Sequence, residues 1–429
     1  MAERARRDDR RRRATPAGQR TVRAHNLALV AGHVARAGPA SRARMAGATG
    51  LNKTTVSSLV AELIARGVLR ETDLERPGAV GRPAVRLELD DRRWVGLGLE
   101  VNVSHVGLCV RDLRGEVRHE VLVRRDNRDA DVDVTLADVA GLAADALRPL
   151  RAAGMRCAGA TLAVPGLVDA AAGRLAVAPN LGWDDVAVGR RLHAALGAPA
   201  FEILVDNEAN LGALAEHWDG AAADRDDVIY VSADIGVGGG IIVGGELQRG
   251  ALGFGGEFGH IPVEPDGLPC ACGRTGCLET RIGQSALLAR VGRDPSEALS
   301  GADPRWPVVD LAAQAAAGDP LVLEALEEAG RWLGFALAGA ANLLNPTTVV
   351  LGGFLGLLGD WLVAPVRDEL ARRVIGADRS AVEVRVSTFG LLAAVRGGAA
   401  VAIRGLLADP ERTDRLERAT GAVMLGAGG

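Results

Sequence analysis

The densest chemistry in the chain lies between Gly253 and Glu279, which read G-F-G-G-E-F-G-H-I-P-V-E-P-D-G-L-P-C-A-C-G-R-T-G-C-L-E. His260 is followed by Cys270, Cys272 and Cys277, so three of the five cysteines fall within eight residues, near an imidazole. Thiolate sulfur and imidazole nitrogen are donors that Zn²⁺ accepts, and three of the one with one of the other make a closed tetrahedral set. C-x-C-x4-C is too tight for three ordinary disulfide partners, so these four residues are expected to hold a structural zinc ion. Two carboxylates frame them, Glu257 before His260 and Glu279 after Cys277. A clip that fixes a loop also fixes the side chains beside its ligands. In this apolar, glycine-rich setting the two glutamates are expected to face a pocket.

The combination of E-F-G-H with C-A-C-G-R-T-G-C-L-E resembles the ROK family, which holds sugar kinases and sugar-responsive repressors. The resemblance runs from about Val95 to Leu407. It implies an α/β body with the two-lobed actin-like ATPase fold and a ligand cleft between the lobes. It also implies which residues hold a hexose: Asn180 in A-P-N-L-G-W, Asn207 and Glu208 in D-N-E-A-N, then Glu257, His260 and Glu279. His260 is thereby assigned to both metal and sugar. The residue types suit the task, because sugar hydroxyls both donate and accept. A site built to pair a hydroxyl rejects an analogue lacking it by up to about 10⁴–10⁵. Asn207 can equally serve as a helix N-cap.

The family resemblance also assigns nucleotide phosphates to two glycine loops, and here the chain departs. The first loop, D-x-G-G-T, appears as Glu100-Val101-Asn102-Val103-Ser104. Backbone N–H groups approach phosphates only where no Cβ intrudes, so Asn102 and Val103 should obstruct them. The second keeps Gly236, Gly238, Gly239 and Gly240, but a threonine has become Ile235 and Asp234 adds a negative charge. Glu208 stands where the kinases carry an aspartate base. The expectation is a binding protein with no catalytic residues. The alternative is an ATP-dependent sugar kinase with an added head.

What precedes the body decides between the branches. The first 90 residues carry 18 Lys and Arg against 9 Asp and Glu, and the remainder 32 against 45. A basic head on an acidic body suits a polyanionic partner. Residues 1–20 are polar and arginine-dense and read as a disordered basic arm. From Thr21, Val22, Leu27, Leu29, Val30 and Val34 mark a helix to about Arg36. Ser41 can cap a second helix to about Ala48. Gly50 makes a turn, and Asn52 can cap a third, Lys53 to Arg66. Its face of Val56, Leu59, Val60, Leu63 and Ile64 leaves Lys53, Thr54, Thr55, Ser57 and Ser58 at the exposed start. That is the helix-turn-helix plan, with Asn52 and these residues presented to base edges. Two alternating strands around E-R-P-G-A-V-G-R-P-A read as a wing that can lay Arg82 in a minor groove. The domains expected are thus the arm, a winged helix-turn-helix over 21–90, and a sugar-binding body with its zinc site over 91–429. The head resembles that of ROK repressors.

At 429 residues and 48% hydrophobic content the chain suits two or three globular domains. No apolar run reaches the ~20 residues of a membrane span. Five cysteines, three of them committed to metal, suit a reducing cytoplasm. Cys109 and Cys157 sit in apolar, strand-like runs. In the body, two strands and a turn are expected from Val95 to about Leu122, and helices over Val132–Ala153 and from Asp319-Pro320 through Leu344. A strand is expected over Val228–Ser232 before the glycine loop, and a fraying tail after Leu407. The chain is expected to be a homodimer or higher homo-oligomer that binds double-stranded operator DNA. Its expected effector is a sugar or sugar phosphate, or else a partner protein.

Overall fold

The computed structural model describes residues 19–75, 84–299, 301, 303 and 305–418. The basic arm, apart from Gln19 and Arg20, and Arg82 in the wing lie outside them. The contacts divide the chain into two compact units: residues up to Asp90 with those from Leu406 onward, and Asp91–Gly405.

In the first unit α1 (Gln19–Ala37), β1 (Ala40–Ser41), α2 (Arg42–Thr49), α3 (Lys53–Ala65), β2 (Leu69–Glu75) and β3 (Ala84–Leu89) follow in order. The caps read from sequence are made. Ser41 accepts from Arg44 N, Asn52 accepts from Thr55 N, and Gly50 adopts φ 72° to end α2. Leu27, Val30, Met45, Val56, Leu59, Val60 and Leu63 are fully or almost fully buried and make the three-helix core. The strands form an antiparallel sheet in the order β1-β3-β2. The stretch after Leu407, expected to fray, is helical over residues 412–418. It packs on α3 of this unit: Arg66 donates to Thr413 Oγ1 and Asp414, and Leu416 is buried.

The second unit opens with β4 (Trp94–Val101), β5 (His105–Asp112) and β6 (Val117–Arg124). Three strands thus stand where two and a turn were expected. Strand β6 is an edge strand with an exposed, charged face, so its sequence carries little apolar signal. Next come α4 (Val132–Ala152), β7 (Arg156–Val164), β8 (Leu167–Asp169), β9 (Arg174–Ala178), β10 (Trp183–Val186), α5 (Val188–Ala195) and β11 (Ile203–Asn207). The first lobe's sheet has the order β11-β7-β4-β5-β6, and β8–β10 form a small sheet of their own.

Helix α6 (Glu208–Asp219) leads to the second lobe, which begins with β12 (Val228–Ala233), β13 (Val237–Val243) and β14 (Glu246–Leu247). After the cysteine loop come α7 (Glu279–Ile282), α8 (Gln284–Arg290), α9 (Val308–Ala316), α10 (Pro320–Leu344) and β15 (Thr348–Gly353). Helices α11 (Phe354–Leu357) and α12 (Gly359–Arg373), strand β16 (Glu383–Val386) and helix α13 (Ala393–Ala408) complete it. The sheet runs β14-β13-β12-β15-β16. Asp319 and Pro320 start α10 as expected, with the Asp319 carboxylate accepting from Leu321 N and Val322 N.

The glycine run expected as a loop is a correction. Gly238, Gly239 and Gly240 lie inside β13, paired with β12. Gly238 and Gly240 admit α6: a Cβ at Gly238 would stand 3.1 Å from Ala209 Cβ, and one at Gly240 2.5 Å from Ala213 Cβ, whereas Gly239 faces the Phe258 ring. Helix α13, with the turn from Gly390, is long and apolar enough to cross a membrane, but most of it is buried. Its Ala399 and Val395 carbonyls occupy the space that a Cβ at Gly96 or Gly98 in β4 would need.

Candidate functional site

Polar side chains from both lobes converge on one pocket in the second unit. It is lined by Asn180, Asn207, Glu208, Asp234, Glu257, His260, Cys272 and Glu279, with Gly236–Gly239 on its floor. All six residues expected to hold a sugar are therefore brought together. No Lys or Arg lines it among the described residues.

Each side chain is placed by a local device. Asn180 sits in the single 3-10 turn Pro179–Leu181 between β9 and β10, which ends at Gly182 with φ 71°. Asn207 is the N-cap of α6, its Oδ1 accepting from Ala209 N and Asn210 N, while its amide donates to Gly166 O at 3.0 Å. The capping role weighed for Asn207 is thus present, on a residue that still lines the pocket. Glu208 begins α6. Burial drives its carboxyl well above the usual range, with Glu100, Glu257 and Asp234 adding repulsion. Its Oε2 has no partner, an acceptor left for a donor from within the pocket.

Glu279 accepts from Val237 N at 2.9 Å and lies 3.7 Å from Cys270 Sγ, so it ties the cysteine loop to β13. Gly236 lies between Glu279 and Asn180: a Cβ there would be 3.0 Å from Glu279 Oε2 and 3.1 Å from Asn180 Nδ2. Glu257 precedes the 3-10 turn Phe258–His260, and its carboxylate lies 3.9 Å from His260 Nε2.

The other imidazole nitrogen faces the cysteines, Nδ1 lying 3.7 Å from Cys270 Sγ. Cys272 Sγ and Cys277 Sγ are 3.7 Å apart, and the four donor atoms all lie within 4.8 Å of one another. The edges of a tetrahedron around zinc with its usual bond lengths are about 3.6–3.8 Å, so this donor set fits such an ion. The loop is shaped by short bridges, Pro262 to Cys277 and Pro269 to Thr275. Gly276, with φ 72°, passes so close to the Glu264 carbonyl that no side chain fits. His260 can therefore serve metal with one nitrogen and pocket with the other, which reconciles its two assignments.

The loop expected from the family resemblance to meet phosphates is occupied by its own side-chain bonds. Asn102 Nδ2 donates to Glu100 Oε1 at 3.1 Å, and Val103 N donates to Asn102 Oδ1 at 2.6 Å. From the second lobe Asp234 accepts from Ser104 Oγ at 2.9 Å. Asp234, expected from sequence only to add charge, thus also bonds across to the first lobe. His105, buried between Glu100 and Asp234, was missed, and its one signal was the S-H pair after an interrupted glycine loop.

In the first unit, Asn52, Lys53, Thr54, Ser57 and Ser58 are exposed at the start of α3, with Thr55 partly so. They share one helix end but differ in availability. Asn52 is engaged in its cap, and Ser57 Oγ donates to Lys53 O at 2.9 Å. Ser58 Oγ lies 3.5 Å from Arg23, which also pairs with Glu62.

The profile of the ROK family matches residues 96–404. The chain is 29% identical to the xylose repressor of Caldicellulosiruptor bescii, over 86% of this chain and 93% of that protein. Its structure is similar to the crystal structure of a ROK family transcriptional regulator, a homologue of the Escherichia coli MLC protein. The TM-score is 0.75 at 26% identity, covering 92% of this chain and 99% of that one. A ROK family glucokinase from Streptomyces griseus, solved with glucose and AMPPNP, aligns at TM-score 0.61 and 27% identity over 72% of this chain and 98% of its own. By its motifs, its two-lobed fold and these matches, the chain belongs to the ROK family.

Proposed function

We propose that the chain is a sugar-responsive transcriptional repressor without kinase activity, acting on double-stranded DNA in the cytoplasm. The observation that carries this is the union on one chain of a three-helix head, polar and exposed at the start of α3, with a ROK body. Lys53, Thr54, Thr55, Ser57 and Ser58 face the major groove in this reading. Two heads of a homodimer, or of a higher oligomer, read half-sites about one helical turn apart or a multiple of it.

A monosaccharide binds Asn180, Asn207, Glu208, Glu257, His260 and Glu279. His260, Cys270, Cys272 and Cys277 hold a structural zinc ion, which supplies rigidity rather than chemistry. The loop bearing those ligands also bears two of the sugar-binding carboxylates, so loop and pocket order together. The sugar alters the arrangement of the heads only by favouring one state, since equal affinity for both shifts nothing.

The test is a gel shift of the full chain on the DNA upstream of its own gene, with and without D-xylose. Loss or gain of the shift with sugar supports the proposal, and absence of any shift overturns it. A kinase reading has one observation in its favour, the unpartnered Glu208 carboxylate placed where a base would stand. Sugar-dependent ATP turnover above about 1 s⁻¹ would select it.

A further inference from the structure

Four side chains form a polar cluster between the two sheets of the body. Glu100 and His105 come from β4 and β5, which pair with each other in the first lobe, and Ser104 from the turn between them. Asp234 follows β12 in the second. Glu100 Oε1 lies 3.6 Å from His105 Nε2, His105 Nδ1 lies 3.0 Å from Ser104 Oγ, and Ser104 Oγ donates to Asp234 Oδ2 at 2.9 Å. Asp234 Oδ2 is also 3.5 Å from His105 Nδ1. Glu100, Ser104 and His105 are each at most 2% exposed. The loops at both ends line the sugar pocket, through Asn102 and Val103 on one side and Asp234 and Gly236 on the other.

We infer that this Glu100–His105–Ser104–Asp234 chain is an interlobe clasp, which joins the lobes with the protein's own side chains and holds the pocket in its ligand-binding geometry while His105 is protonated. The link to ligand rests on the reading of the pocket as a sugar site. With both ring nitrogens protonated, His105 donates toward Glu100 on one side and toward Ser104 and Asp234 on the other. Without that proton, Nε2 or Nδ1 loses its donor, and Glu100 and Asp234 keep only Arg124 as a nearby cation.

Burial alone would push the imidazole down, but attraction from Glu100, 3.6 Å from Nε2, and then from Asp234 holds it above its ordinary value, with Arg124 opposing. Asp234 is itself raised by burial, with His105 and Ser104 pulling the other way. Strand β4 brings Glu100, and β6 brings Arg124, which is paired in register with His105. The turn after β12 brings Asp234, and neutral Asn127 binds the His105 carbonyl. A group raised on folding stabilises the folded form fully below its unfolded value of 6.5, and that contribution is lost as pH rises through the folded value. The clasp is therefore strong at pH 6 and weak at high pH.

Asp234→Asn keeps a hydrogen-bond acceptor for Ser104 but removes the charge that His105 faces, and His105→Gln removes the titrating ring. The first readout needs no ligand. Thermal melting of the full chain should fall by about 2 °C or more in each variant at pH 6, and the difference from wild type should shrink by pH 9. Differences that are nil, or equal at the two pH values, overturn the clasp. The second readout is calorimetric titration with D-xylose and with D-glucose. Wild type should bind about five- to tenfold more weakly at pH 9 than at pH 6, and the variants should lose most of that pH-dependent difference. Sugar affinity that is the same in wild type and Asp234→Asn at both pH values overturns the link between clasp and pocket. If no chain binds either sugar while the melting pattern appears, the sugar reading falls and the clasp stands.

Discussion

Gly236→Ala isolates the sugar site from the fold. The backbone at Gly236 lies outside the left-handed region, so alanine adds no dihedral strain there. The added methyl would lie 3.0 Å from Glu279 Oε2 and 3.1 Å from Asn180 Nδ2. An unstrained contact needs about 3.5 Å, so each side-chain end must retreat by about 0.4–0.5 Å. Both contacts are with side-chain ends, though Glu279 Oε2 must keep or stretch its bond from Val237 N, which limits the cost to folding to about that one hydrogen bond. They are also the groups proposed to meet the same ligand, and such groups must be held within about 0.5 Å of the productive position. A hydrogen bond to the charged Glu279 is worth about 1.5–3 kcal/mol and one to the neutral Asn180 about 1. Losing roughly half of their sum removes about 1.5 kcal/mol, or about tenfold in affinity. Calorimetric titration with the best-binding monosaccharide measures this, alongside a thermal melt that should stay within about 2 °C of wild type. Affinity within twofold of wild type in a folded variant would refute the placement of a ligand between Asn180 and Glu279.

Three other perturbations separate the remaining parts. Cys272→Ser should lower bound zinc, measured by elemental analysis, from about one per chain to a small fraction, since a closed site has no ligand to spare. Cys109→Ser should retain it, because burial pushes that thiol up to about 12 and keeps it an uncharged core residue. Lys53→Ala should lower the slope of log affinity for DNA against log salt by about one if Lys53 meets a phosphate, with a similar loss on every sequence. An unchanged slope would remove it from the backbone contacts. Asn52→Ala should cost the head about 1 kcal/mol through loss of the α3 cap, seen in chemical denaturation.

Where local rules act alone, the sequence was enough. Ser41 and Asn52 cap α2 and α3, Asp319 and Pro320 open α10, and the cysteine spacing brings four donors together. The features that were not legible depend on partners distant in the chain. The glycines of β13 read as a phosphate loop because nothing local shows that α6 presses against them. Strand β6 was hidden by the charged residues of an exposed edge, and the small sheet that carries Asn180 by its short strands. The 412–418 helix was hidden because its partner Arg66 lies more than 340 residues away. The S-H pair gave little sign of the role of His105, because both carboxylates that define it, Glu100 and Asp234, are brought to it by folding.

The central claim is that a carbohydrate site lacking nucleotide chemistry governs a DNA-binding head. The most direct measurement is fluorescence anisotropy of labelled promoter duplex with the purified full chain at physiological salt, titrated with monosaccharide while ATP consumption is followed in the same sample. The account predicts sub-micromolar duplex binding that changes on adding sugar, with no sugar-dependent loss of ATP. Indifference to the duplex together with ATP turnover on a monosaccharide would contradict it.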